Sequence, residues 1–101
     1  MRVIERKMLD AIRTGKSWEL DNTRVYVDEF GNWKVYLFGN LICDSFGGQL
    51  DVFTIHKTST TKSRLNAILR KYCNTSIYQK DYIWYYSDNT YTNNGRTFFP
   101  K

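Results

Sequence analysis

Several residue types on which protein chemistry commonly depends are scarce in this chain of 101 residues. It contains two cysteines, Cys43 and Cys73, and one histidine, His56. Two thiols are too few for a disulfide scaffold or a cysteine-built metal site. Neither a Gly-x-Ser-x-Gly nucleophile motif nor a Gly-x-x-x-x-Gly-Lys phosphate loop occurs. We therefore expect no catalytic residues, no metal and no cofactor, and we predict that the protein is not an enzyme.

Long apolar runs are also missing. No stretch approaches the ~18 apolar residues that a membrane-spanning helix needs. The first seven residues include four charged side chains, so they do not form the apolar centre of a secretory signal. These features predict a cytoplasmic protein that does not bind membranes. Because no Pro- or Ser-rich linker interrupts the chain and its length suits one domain, we predict a single domain over residues 1–101.

Positive charge and aromatic rings are abundant. The formal net charge is +5, and aromatic residues make up 17% of the chain. Residues 56–72 contain five basic side chains and no acidic one, whereas residues 17–55 contain six acidic and two basic ones. Phosphates attract cations and nucleic-acid bases stack on rings, so this composition favours a nucleic-acid partner. The alternative is a strand-rich domain that uses its rings as core.

Hydrophobic spacing divides the chain into four segments. Apolar residues recur at helical spacing within 1–16 and 60–73, whereas residues 22–55 alternate between apolar and polar side chains as strands do. Residues 78–101 are aromatic and polar, which indicates further strands. We predict an α+β fold, in which a four-stranded antiparallel meander carries two helices on one face and a C-terminal strand or hairpin is added.

Turn residues set the register of the predicted meander. Its loops are expected at Phe30–Asn32, Gly39–Asn40 and Gly47–Gln49. The face that the helices cover then carries the aliphatic side chains Val25, Val27, Val35, Leu37, Ile42, Leu50 and Val52. This register avoids a like-charge pair between Asp44 and Asp51, although it leaves Asp44 on the aliphatic face.

The other face of the meander is predicted to be an aromatic interaction face. It carries the rings of Tyr26, Tyr36, Phe38 and Phe53. Such rings are unfavourable to leave in water, so we expect a cover. The candidates are the segment Tyr82–Tyr86, a second copy of the chain in a homodimer, or stacked bases, as in sheet-based RNA binders. We favour Tyr82–Tyr86, followed by turns at Ser87–Asn89 and Asn93–Gly95, because its side chains match this face and the acidic meander repels nucleic acid.

The two predicted helices carry the candidate residues for an anionic partner. Three arginines of the first helix fall within ~40° of one another on a helical wheel, opposite the apolar stripe. Thr60 or Thr61 can cap the second helix, whose hydroxyl-rich start favours anions. The alternative interpretation is an ordinary solvated helix surface. The candidate nucleic-acid or anion-binding residues are Arg2, Arg6, Arg13, Lys57, Thr60, Thr61, Lys62, Ser63, Arg64, Arg70 and Lys71.

Four stretches carry a resemblance to known proteins: Asn22–Val25, Tyr36–Ile42, Thr60–Leu69 and Trp84–Tyr85. They resemble a group of small bacteriophage proteins of no assigned activity, over most of residues 1–86. The order helix, meander, helix is also similar to that of double-stranded RNA-binding domains, without their Gly-rich loop and paired lysines. The resemblance implies a viral protein and a location in the cytoplasm of an infected bacterium.

These observations together predict a non-enzymatic phage accessory protein. Its leading predicted partner is nucleic acid, bound through phosphates by the basic helical face. The alternative is a protein–protein interaction module, such as an inhibitor of a bacterial host enzyme or defence system, or a small virion protein.

Overall fold

Two α-helices and eight β-strands make up the part of the chain that the computed structural model describes, residues 2–92 and 95–100. The helices are α1 (Val3–Thr14) and α2 (Ser59–Tyr72). The strands are β1 (Trp18–Leu20), β2 (Thr23–Val27), β3 (Trp33–Leu37), β4 (Asn40–Phe46), β5 (Gln49–Phe53), β6 (Ile77–Lys80), β7 (Ile83–Tyr86) and β8 (Arg96–Pro100). Met1, Asn93, Asn94 and Lys101 lie outside the described residues, and so does most of the turn predicted at 93–95.

One antiparallel sheet contains six of these strands in the order β1-β2-β3-β4-β5-β8, and β6 pairs with β7 in a separate hairpin. The predicted α+β fold with two helices and an antiparallel sheet is confirmed, but four strands are too few. Strand β1 is only three residues long, too short to show an alternating pattern. Strand β8 returns from a distant part of the chain to pair with β5, with Phe99 opposite Leu50.

Both helices pack on the aliphatic face of the sheet, as predicted. Val25 and Val35 are buried in one core with Met8 of α1 and Leu65 of α2. Helix α1 ends at Gly15, whose left-handed φ of 71° lets its N–H reach the carbonyl groups of the last turn.

The β2–β3 hairpin is longer than predicted. Its loop spans Asp28–Asn32, and Asp28 Oδ1 closes it by accepting from the N–H groups of Phe30 at 2.8 Å and Asn32 at 3.0 Å. The pairing therefore shifts by two residues relative to the prediction. Because side chains alternate with a period of two, this shift keeps every residue on its predicted face.

A bulge in the β3–β4 hairpin changes the faces of β4. The two-residue turn is Phe38–Gly39, one residue earlier than predicted, and the register shifts between Val35 and Tyr36. From Cys43 onward, the residues of β4 therefore lie on the face opposite to the predicted one. Asp44, expected on the aliphatic face, lies opposite Lys34 instead, with Lys34 Nζ 3.3 Å from its Oδ1.

The β4–β5 hairpin brings together the like-charge pair that the prediction avoided. Its turn has two residues, Gly47–Gly48, so Asp44 lies directly opposite Asp51. Lys34 pairs with Asp44, and Arg96 Nη2 lies 2.7 Å from Asp51 Oδ2. These neighbouring cations offset the repulsion between the two carboxylates, which was the reason for predicting a different register. One of them comes from β8, whose position the sequence analysis did not foresee.

The β6–β7 hairpin packs beside the helices. Trp84 and Tyr86 are 3% and 2% exposed in the helix-side core, and the Tyr86 ring centroid lies 5.0 Å from that of Phe99. The predicted cover of the aromatic face by Tyr82–Tyr86 is therefore wrong. A sheet of six strands at ~4.8 Å spacing is wider than two adjacent helices of ~10 Å diameter. The β6–β7 hairpin therefore covers the part of the buried sheet face that the helices leave uncovered.

Candidate functional site

The sequence analysis placed Arg64 among surface cations, but the structure places it in the interior. Its side chain is 4% exposed, and its Nη1 lies 2.7 Å from Glu5 Oε2. Its Nε donates to Thr23 Oγ1 at 3.0 Å. The charge of Arg64 is therefore neutralised within the fold, where it joins α2 to α1 and to the start of β2.

The partner of Arg64 was not foreseen. Glu5 is buried and also accepts a hydrogen bond from the Ser63 hydroxyl. Burial by itself raises the pKa of Glu5, but the hydrogen bonds from Ser63 and Arg64 and the charge of Arg64 outweigh it and hold the pKa below its ordinary value. A signal was present in the sequence, since Glu5 shares the i, i+3, i+7 stripe of Met8 and Ile12.

The N-cap of α2 lies two or three residues earlier than predicted. Thr58 is the N-cap, and its Oγ1 accepts from the Thr61 N–H at 3.1 Å. Thr60 and Thr61, the predicted caps, lie inside the helix, and Thr61 is buried. Several hydroxyl groups of this segment are therefore used within the fold, and Ser59 remains exposed at the first turn.

Three of the predicted cations converge on one open depression. Arg2, Lys62 and Arg70 line a depression of about 610 Å³ between the start of α1 and the outer face of α2. The carboxylate that borders it belongs to Glu5, which Arg64 already neutralises. The depression is therefore positively charged, and it also lies beside the N-terminal turn of α2.

The remaining predicted cations do not join this depression. Arg6 lines a separate one on the other side of α1. Arg13 pairs with Asp10 one turn before it. Lys57 and Lys71 are exposed, in the segment before α2 and in its last turn. The predicted arginine row of α1 is thus divided between two surfaces.

The aromatic sheet face is open in this single chain. Tyr26 and Phe38 are 44% and 70% exposed, while Tyr36 and Phe53 are half-buried. Arg24 lies over the Tyr36 ring at 5.8 Å, and Arg96 lies over the Phe53 ring at 5.5 Å. With Asp44 and Asp51 paired to cations, this face carries rings and balanced charge.

A second aromatic cluster lies on the helix side of the domain, and the sequence analysis missed it. Tyr78 and Tyr85 are cross-strand partners in the β6–β7 hairpin, with ring centroids 5.5 Å apart. Tyr91 packs against Tyr85 at 6.3 Å. Only the alternation of β6 and β7 could have placed the first two on one face, and the pairing of these strands was not predicted.

Residues 2–92 and 95–100 show neither a metal-type cluster of side chains nor a membrane-spanning helix. There, no three histidine, cysteine or acidic side chains come together as a metal site would require. No helix in this part of the chain is long and apolar enough to cross a membrane.

The comparisons with known proteins give one decisive result. The family model of the Kyanoviridae Gp96 protein matches residues 1–100. The chain belongs to this family. Kyanoviridae Gp96 is a phage protein family, so the predicted resemblance to small bacteriophage proteins is confirmed. The match also includes residues 87–100, which that resemblance left outside. Comparisons with curated proteins and with solved structures give no match.

Proposed function

We propose that this phage protein binds nucleic acid through its phosphates at the depression between α1 and α2. One observation carries the proposal: Arg2, Lys62 and Arg70 converge there, while the bordering carboxylate of Glu5 is neutralised by Arg64. The protein acts by binding and not by catalysis, in the cytoplasm of the infected bacterium. Cations that converge without acidic neighbours are the electrostatic footprint expected of a phosphate-binding surface.

The number of cations sets the expected salt dependence. If Arg2, Lys62 and Arg70 each neutralise one duplex phosphate, the logarithm of the binding constant falls with that of the salt concentration at a slope of about −2.7. Raising the salt from ~50 mM to ~200 mM then weakens binding by about 40-fold. The interaction is therefore modest and sequence-independent, because phosphate contacts position a protein without reading bases.

The open sheet face favours a second candidate, a protein–protein interaction module. Exposed rings and arginines such as Tyr26, Phe38 and Arg24 are typical of protein interfaces. The partner on this face would be a bacterial host protein, another virion protein or a second copy of the chain. The balanced charge of this face makes nucleic acid a poor occupant, so the two candidates use different surfaces.

Binding to fluorescently labelled 20-nucleotide DNA and RNA, measured by anisotropy at ~50 mM salt, tests the proposal. The double variant Lys62→Gln/Arg70→Gln is expected to bind at least about 10-fold more weakly than the natural protein. The matched control is Lys7→Gln/Lys16→Gln, which removes the same charge from exposed positions on the other side of α1. Absence of binding by the natural protein overturns the proposal, and so does an equal loss in both double variants.

A further inference from the structure

The solvent face of the β6–β7 hairpin carries tyrosine rings that the core does not use. Tyr78 and Tyr85 are stacked with an interplanar angle of 25°, and Tyr91 meets Tyr85 edge-on at 60°. Tyr78 and Tyr91 are 37% and 46% exposed. The other face of the hairpin supplies Ile77, Trp84 and Tyr86 to the core.

The arrangement of these rings is fixed within the hairpin. The Tyr78 hydroxyl donates to Asn89 Oδ1, and Asn89 lies in a turn with a left-handed φ of 71°. Tyr85 and Tyr91 also form a backbone bridge. The three rings therefore hold a preset geometry, and little side-chain entropy remains to be lost when a planar ligand stacks on them.

The same hairpin is attached directly to the cationic depression. Asn66 of α2 donates from Nδ2 to the Ile77 carbonyl at 3.0 Å and accepts from the Ile77 N–H at 2.6 Å. Lys62 Nζ lies 3.4 Å from Gln79 Oε1. Arg70 lines this depression and also a smaller one that it shares with Asn74, Thr75 and Ser76, in the segment that leads into β6. Lys62 therefore lies at the β6 edge of the hairpin, and Arg70 lies beside the segment that leads into this strand.

We infer that the protein binds single-stranded nucleic acid, with bases stacked on the exposed rings of Tyr78 and Tyr91 and phosphates held by Lys62 and Arg70. The inference rests on the proposed function and specifies its ligand. Bases of a duplex already stack on one another, whereas those of a single strand present open faces to aromatic rings.

The charges of the hairpin agree with this division of roles. Lys80, Asp81 and Asp88 lie near its two ends and give it no excess of positive charge. Phosphate attraction must therefore come from α2, and the rings supply stacking. Loss of one stacked base weakens binding by between about 5-fold and about 150-fold in comparable proteins.

The test compares a labelled 20-nucleotide single strand, as DNA and as RNA, with the duplex of the same sequence. The natural protein is expected to bind the single strand at least about 10-fold more tightly. In the double variant Tyr78→Leu/Tyr91→Leu, single-strand affinity is expected to fall about 10-fold or more while duplex affinity changes less than about 2-fold. Tyr78→Phe keeps the ring but loses the hydrogen bond to Asn89, and it is expected to retain most of the single-strand affinity.

Tyr26→Leu is the matched control, because it removes an exposed tyrosine from the open sheet face. It is expected to leave single-strand binding unchanged. Equal affinity for single strand and duplex overturns the inference without any variant. Unchanged single-strand binding by the leucine double variant also overturns it, and the proposed function survives if Lys62→Gln/Arg70→Gln still weakens binding. If the natural protein binds none of these nucleic acids, both fail.

Discussion

Replacing Arg64 by methionine is expected to destabilise the fold strongly, although the sequence placed this residue on a binding surface. Arg64 and Glu5 are each 4% exposed, so the substitution leaves a buried carboxylate without its cation. Breaking a buried ion pair in this way costs about 3–5 kcal/mol. Small domains have a total stability of about 5–15 kcal/mol, so the loss is a large part of the whole.

A second substitution tests whether the loss comes from the unpaired charge. Apolar residues of similar volume often replace both members of a buried pair without loss. The double variant Glu5→Met/Arg64→Met is therefore expected to recover most of the stability that Arg64→Met loses. The remaining deficit comes from the Ser63 hydroxyl, which loses its acceptor Glu5, and from the Thr23 hydroxyl, which loses the donor Arg64 and keeps its bond to Asn22.

Urea unfolding followed by tryptophan fluorescence measures these differences as shifts of the midpoint at constant slope. Arg70→Met is the control, because Arg70 is exposed on the same helix and is expected to change stability by less than about 0.5 kcal/mol. A loss below about 1 kcal/mol in Arg64→Met refutes the reasoning. So does a double variant that is less stable than Arg64→Met.

Two further substitutions have defined outcomes. Because the pKa of Glu5 is lowered in the folded state, its carboxylate stabilises the fold above the ordinary value of 4.5, and this contribution is lost as the pH falls through the folded-state pKa. Urea unfolding at pH 3 to 7 measures the difference in unfolding free energy between the natural protein and Glu5→Gln. This difference is therefore expected to shrink as the pH falls, and a difference that stays constant contradicts the prediction. Phe38 has a left-handed φ of 51°, a backbone conformation that asparagine tolerates better than phenylalanine. Phe38→Asn is therefore expected to stabilise the protein by about 0.5–1 kcal/mol in thermal unfolding. A lower Tm than that of the natural protein contradicts the assignment of backbone strain to Phe38.

The sequence was sufficient for the features that depend on local periodicity. Alternation placed Val25, Val35 and Leu50 on the buried face, and the structure confirms this despite errors in all three loops. Val25 and Val35 kept their predicted face because the first hairpin shifted by an even number of residues. Leu50 kept its face because the bulge and the shorter Gly47–Gly48 turn each changed the parity, and the two changes cancelled. At β4 the bulge changed the parity, and Asp44 was consequently assigned to the wrong face.

Features that depend on contacts between distant segments were not predictable in the same way. The pairing of β8 with β5, the Glu5–Arg64 ion pair and the attachment of Asn66 to Ile77 each join residues that no local pattern relates. The tyrosine cluster has the same origin, since it needs the β6–β7 pairing and the return of the chain at Tyr91.

The two faces of the domain differ in how available their charges are, and this difference is why we propose the helix face as the nucleic-acid surface. On the open sheet face, Lys34 and Arg96 already pair with carboxylates, so a phosphate must compete with these bonds. On the helix face, the internal pair consumes Arg64, and in doing so it neutralises the bordering acid Glu5. Among the described residues that line the depression, Arg70 and Lys62 then meet no other carboxylate. Burying one arginine therefore leaves its neighbours free of the competition that a phosphate would meet on the sheet face.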